Sequence, residues 1–150
     1  MSETRGHRRP VEEGLVGTLF CPYAPGPHPA VIALGRVGGG LREGGTEALA
    51  SEGFAAMALA YFGVEGLHCE LVEIPLEYFE KAIEWLKSQP EVDSKRIAVV
   101  GNSNGGELAL LLGATYPEDV RAIVGYAPSA VVWQEITFDR EVYHGGPRSP

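Results

Sequence analysis

Short apolar runs alternate along this chain with stretches in which apolar residues recur at helical spacing. Runs of about 4–8 apolar residues bounded by glycine and proline are the signature of strands buried on both faces. Such runs occupy 15–21, 30–34, 54–61, 96–100 and 120–126. Between them, Leu76, Phe79, Ile83 and Leu86 fall on one helical stripe, with Glu77 and Lys81 spaced as an i,i+4 pair on the other side. That helix ends at Gln89-Pro90, because proline disfavours helical backbone in the residue before it, and Val92-Asp93-Ser94-Lys95 predicts a turn into the strand at 96–100. A weaker helix is expected over 46–52, stopped by Gly53, and a further one from Ser103 to about Thr115. The strand–helix alternation predicts α/β architecture, with a mostly parallel sheet, right-handed crossovers and helices on both faces. The final stretch, VVWQEITFDREVYHGGPRSP, has no period and reads as an irregular tail.

Composition narrows the partners. A formal charge of −8 and the lack of a basic stripe remove the electrostatic attraction that dominates nucleic-acid binding. Two cysteines, Cys21 and Cys69, demand neither a disulfide framework nor a zinc site, so no metal and no cofactor are expected. No stretch approaches the roughly 20 apolar residues of a membrane span, and the basic N-terminus lacks a following apolar region, so the expected location is the cytoplasm.

The chemistry concentrates at Gly101-Asn102-Ser103-Asn104-Gly105-Gly106, a G-x-S-x-G motif between the apolar strand IAVV and the helical run ELALLLGAT. In that context the motif predicts a sharp strand-to-helix turn that lifts a serine hydroxyl above the carboxyl edge of the sheet. Ser103 is the expected nucleophile, and Gly101, Gly105 and Gly106 leave room around it. The Asn104 N–H, opening the helix, is one expected oxyanion donor. A second comes from the loop Gly35-Arg36-Val37-Gly38-Gly39-Gly40, through the N–H of Arg36 or Val37. The bland alternative is that Ser103 merely caps a helix; the loop as a phosphate cradle lacks the Walker lysine and the G-x-G-x-x-G spacing.

A serine nucleophile needs a base, and the histidines are His7, His28, His68 and His144. Asp139 and His144 follow Ser103 in the order acid then histidine, but the interval between them is too short for a strand and its crossover, which take at least about a dozen residues. His68 precedes the serine and reads as a loop residue. Glu73, Glu77, Glu80 and Glu84 read as a solvated face, and Tyr61, Phe62 and Trp133 as core or pocket wall. Arg36 and Arg42 lie near the expected oxyanion loop, where a substrate phosphate is one reading and surface arginine the simpler one.

The runs ALAYFGVEGL and PLEYFEKAIEWLKSQPEVDSKRIAVVGNSNGGELALLLGATYPEDVRAIVGYAPSAVVWQ resemble the C-terminal hydrolase domain of the acyl-CoA thioester hydrolase and bile acid-CoA:amino acid N-acyltransferase family. The resemblance implies an α/β-hydrolase fold lacking the C-terminal strands, with 1–27 as an arm and first strand, 28–136 as the partial domain and 137–150 as the tail. It implies an acyl-CoA or other ester or thioester as substrate. Members with serine at the elbow are typically thioesterases, whereas the amino-acid transferases carry cysteine, so Ser103 implies hydrolysis through an acyl-enzyme. The family's acid and histidine lie after later strands, at positions without a match here. Two alternatives follow: a carboxylesterase or dienelactone-hydrolase-like enzyme, or a non-catalytic remnant whose exposed sheet edge pairs with another copy or chain.

Overall fold

In the computed structural model the described residues are 6–36 and 38–128, with the backbone of 137–139 and 142–144. Six strands form one sheet: β1 (Gly6–Pro10), β2 (Val16–Pro22), β3 (His28–Leu34), β4 (Ala55–Ala60), β5 (Val92–Asn102) and β6 (Val120–Tyr126). Their spatial order is β1-β2-β4-β3-β5-β6. The pairs β4–β3, β3–β5 and β5–β6 are parallel, whereas β1–β2 and β2–β4 are antiparallel. The crossovers are carried by α1 (Glu43–Ser51), α2 (Leu76–Lys87) and α3 (Asn104–Thr115).

Alternation along the strands divides the helices between the two faces. In β2, Leu19 and Cys21 join the main core with Met57 and Leu59 of β4 and Ile97 and Val99 of β5. Phe20 turns the other way, onto Ala58 of β4 and Ala50 of α1. On the α1 side β4 offers only the small side chains of Ala56, Ala58 and Ala60, so the helix comes close to the sheet. The opposite face takes α2 and α3: Phe79, Ala82, Ile83, Leu86, Ala109 and Leu112 are buried there. Glu73, Glu77, Glu80 and Glu84 point outward as a solvated face.

Two fixed links brace the layers. Tyr78 in α2 donates its hydroxyl to Ala60 O at 2.6 Å and accepts the Val16 N–H at 3.1 Å, closing the ends of β4 and β2 together. Lys87 spans Glu84 at 2.7 Å and Asp119 at 2.8 Å, joining the end of α2 to the approach to β6; those two carboxylates raise its pKa against a small opposing effect of burial.

Several boundaries differ from expectation. Residues 92–95 belong to β5 and not to a turn, although the turn chemistry survives inside the strand. Asp93 Oδ1 accepts the Lys95 N–H at 3.0 Å and its Oδ2 meets Arg96 Nε at 2.6 Å. The ladder with β3 accommodates this by shifting register between His28 and Ala30. The N-terminal arm contains β1, an antiparallel edge strand whose pairing with β2 uses backbone groups and needs no apolar pattern. α1 begins at Glu43, ahead of the expected start, with buried Thr46 bonding back to Arg42 O at 2.6 Å. In the segment read as a tail, β7 (Thr137–Asp139) and β8 (Val142–His144) pair as a separate antiparallel hairpin. Trp133 lies outside the described residues. Among the described residues no helix is long and apolar enough to cross a membrane.

Phe79 is 1% exposed at the centre of the main core. Phe79→Ala is expected to cost about 3–5 kcal/mol in urea-induced unfolding; a loss below about 1 kcal/mol would show that α2 is not anchored through this ring.

Candidate active site

The carboxyl edge of the sheet is where β3, β5 and β6 end side by side, with Gly101 of β5 in register with Leu34 and Gly125. Ser103 follows at once, between β5 and α3, with φ 54° and ψ −120°. A residue with a side chain rarely adopts this conformation, and holding it costs on the order of 1–3 kcal/mol. Three backbone bonds hold it. The Ser103 N–H donates to Tyr126 O at 2.8 Å, and its carbonyl accepts from Gly106 at 2.9 Å and Glu107 at 3.1 Å. The turn is therefore tied to β6 on one side and to the first turn of α3 on the other.

The glycines explain why the turn can be so tight. A Cβ on Gly101 would run into the Gly105 carbonyl and come within 2.7 Å of the Gly106 nitrogen. One on Gly105 would strike the Gly35 carbonyl and lie 2.8 Å from Leu34 O. At Gly106 the contacts are looser, the nearest being Pro128 at 3.2 Å. Gly101 and Gly105 are thus required by space, and the first turn of α3 rests directly on the ends of β5 and β3.

The Ser103 hydroxyl lies 3.5 Å from Asn104 Oδ1, longer than the roughly 2.5–3.0 Å of a well-formed O–H···O bond. Among the described residues no histidine is bonded to it. His28 sits at the start of β3, the opposite end of that strand, with Nε2 2.9 Å from Ala24 O. His68 is exposed in the loop after β4, its carbonyl accepting the Gly63 N–H at 2.7 Å. In the β7–β8 hairpin Asp139 pairs with Val142 and His144 with Thr137; the side chains of Asp139, His144 and His7 lie outside the described residues.

The loop after β3 begins beside the elbow. Gly35 is buried and Arg36 exposed; Val37 lies outside the described residues. The loop turns back through Gly39 N–H to Arg36 O at 3.0 Å, and Gly39 and Gly40 take φ of 65° and 79°. Arg42 follows at the start of α1, its side chain along Gly35, and lines an open cleft of about 390 Å³ with Leu34, Leu49, Val100, Asn102 and Tyr126. Among the described residues no group of three potential metal ligands occurs.

One residue at this edge was not legible as functional. Tyr61, following β4, is 4% exposed, and its hydroxyl donates to Gly35 O at 2.7 Å. The signal for it was a phenol at the end of the apolar run AAMALAY, since a buried tyrosine hydroxyl seeks a partner. Burial first, and the nearby Glu107 carboxylate second, push its pKa far above the ordinary tyrosine value.

A strand, a strained serine and a helix in direct succession at the carboxyl edge of a parallel sheet define the class as the α/β-hydrolase fold. Solved structures agree: a dienelactone hydrolase-like promiscuous phosphotriesterase from metagenomic libraries superposes with a TM-score of 0.68 at 23% identity, covering 85% of this chain and 61% of that one. Sequence comparison adds a family likeness. Residues 74–145 match the family described as "BAAT / Acyl-CoA thioester hydrolase C terminal", and over that stretch the chain is similar to its members. It is 42% identical over 135 residues to acyl-coenzyme A thioesterase 1 of Mus musculus, covering 89% of this chain and 32% of that protein. It is 44% identical over 118 residues to the mouse acyl-coenzyme A amino acid N-acyltransferase 1, covering 78% of this chain and 28% of that protein. The chain thus spans about a third of the length of the curated relatives it matches.

The crowding at the elbow separates two kinds of glycine. Gly105→Ala is expected to destabilise the fold by about 1–3 kcal/mol, the usual cost of overpacking. Gly45→Ala, in α1 where an added Cβ meets nothing within 4 Å, should instead stabilise it by about 0.5–1 kcal/mol through the unfolded chain. Urea titration of both variants checks this, and shifts of the same sign would contradict it.

Proposed function

We propose that this chain carries the nucleophile of a serine hydrolase acting on acyl-CoA thioesters. Ser103 Oγ attacks the thioester carbonyl, the new C–O bond forms, the C–S bond breaks, and the serine proton ends on the departing sulfur. Water then attacks the acyl-enzyme and releases the fatty acid, returning a proton to Ser103. The Asn104 N–H, at the positive end of the α3 dipole, and the Arg36 N–H hold the oxyanion, with Val37 as the alternative donor. The observation that carries this reading is the positive φ of Ser103 between β5 and α3. A residue that only capped a helix would have no reason to bear that strain. Hydrolysis, as against transfer to an amino acid, is supported by serine standing at the elbow, since the identities to a thioesterase and to an N-acyltransferase are nearly equal.

A base is the remaining requirement; His144 is the one histidine of this sequence after Ser103, and Asp139 is the acid paired with it in the sequence reading. Without a base, oxyanion stabilisation and binding still leave about 10³–10⁴-fold acceleration over water. Release of free CoA thiol from a long-chain acyl-CoA is therefore expected at about that level from the 150-residue chain. Added imidazole, an external proton acceptor, should raise the rate in wild type and in His144→Ala but not in Ser103→Ala. A wild-type response no larger than that of Ser103→Ala would contradict the nucleophile assignment and favour the non-catalytic reading. Turnover at ordinary enzyme rates that is lost in both Ser103→Ala and His144→Ala would show instead that Asp139 and His144 complete the site.

A further inference from the structure

We infer that Tyr61 is a positioning residue for oxyanion binding: it orients the peptide between Gly35 and Arg36, and with it the Arg36 N–H. The inference rests on the reading of that N–H as an oxyanion donor. The Tyr61 hydroxyl donates to Gly35 O at 2.7 Å from inside the core. Its ring is fixed by edge-on contacts with Phe62, centroids 5.1 Å apart, and with Phe79 at 5.6 Å. Glu107 and burial both disfavour the phenolate, so the group remains a hydrogen-bond donor throughout the neutral range.

The same carbonyl is closely packed on a second side. Gly105, in the first turn of α3, approaches Gly35 O so closely that a Cβ would collide with it. Tyr61 draws this oxygen inward, and the absence of a side chain on Gly105 leaves it room to lie against the first turn of α3. The Gly35–Arg36 peptide is trans, since the one cis bond in the described chain is Gly26-Pro27. In a planar trans peptide the N–H is antiparallel to the C=O. Anchoring the Gly35 oxygen inward therefore turns the Arg36 N–H outward, above the edge where Ser103 lies. Gly35 has no side chain of its own to limit the peptide that follows it, so the Tyr61 bond is what restricts its rotation. Removing the hydroxyl releases that rotation without removing any group that touches substrate.

Tyr61→Phe keeps the ring and deletes only the hydroxyl; 3-fluorotyrosine at 61 keeps both and serves as the rescue. Two readouts on the full chain separate positioning from packing. The first is the residual dipolar coupling of the Arg36 amide in a weakly aligned sample, which reports the orientation of this peptide whether or not the protein turns over. It should change in Tyr61→Phe, with couplings in α2 unchanged, and return with fluorotyrosine. The second is acylation of Ser103 by a p-nitrophenyl ester, where the maximal rate should fall about tenfold or more while KM stays within about twofold, as expected when a transition-state donor is misplaced. An unchanged Arg36 coupling in Tyr61→Phe overturns the inference, and so does an equal loss in rate and KM that fluorotyrosine fails to restore. If wild-type Ser103 is not acylated at all, the nucleophile reading fails, and the dipolar coupling alone decides whether Tyr61 sets the peptide.

Discussion

The first turn of α3 lies in backbone contact with the ends of β5 and β3, and the rest of the candidate site depends on that contact. There is no space at Gly101 or Gly105 for a single carbon beyond Cα. Once the helix starts this close, the chain has one residue in which to change direction, and that residue must take positive φ. Glycine would do so without strain, yet serine stands there. The turn keeps the strained conformation because three backbone hydrogen bonds and the sheet register determine it from both sides.

What makes the edge rigid is the packing behind it. The main core fills the space between the sheet and α2 and α3 with Phe79, Ile83, Leu86, Ile97, Val99 and Leu112, all nearly inaccessible. On the other face a row of alanines in β4 brings α1 close, and buried Thr18 of β2 donates to Glu43 at 2.6 Å in its first turn. The loop between β3 and α1 is therefore held at both ends, and Tyr61 secures its first peptide from below. Away from this braced region β6 is the last strand of the sheet among the described residues. Among the described residues the strand that receives the Ser103 N–H pairs with β5 alone, and its Ile123, Val124 and Tyr126 are 38%, 45% and 61% exposed.

The sequence made some of this readable and hid the rest for identifiable reasons. Strands buried on both faces leave unbroken apolar runs, and α2 leaves a stripe, so the order of elements and the α/β class could be read directly. The elbow could be read because glycine, serine and the flanking strand and helix coincide. β1 was hidden because Gly-His-Arg-Arg-Pro pairs through its backbone, and backbone pairing leaves no pattern in side chains. The extension of β5 was hidden because Asp93 and Arg96 carry real turn chemistry that the sheet tolerates as an irregularity in register. Tyr61 read as core, which it is; that its one polar atom reaches the loop after β3 depends on a contact far away in sequence.

The central claim is that Ser103 bears backbone strain so that its hydroxyl can stand at the sheet edge. The difference in unfolding free energy between Ser103→Gly and Ser103→Ala tests it most directly, since both variants lose the hydroxyl and only glycine relieves positive φ. After allowing for glycine's greater freedom in the unfolded chain, Ser103→Gly should be the more stable of the two by about 1 kcal/mol. An Ser103→Gly variant less stable than Ser103→Ala by about 0.5–1 kcal/mol, the ordinary penalty for glycine in unstrained backbone, would contradict it.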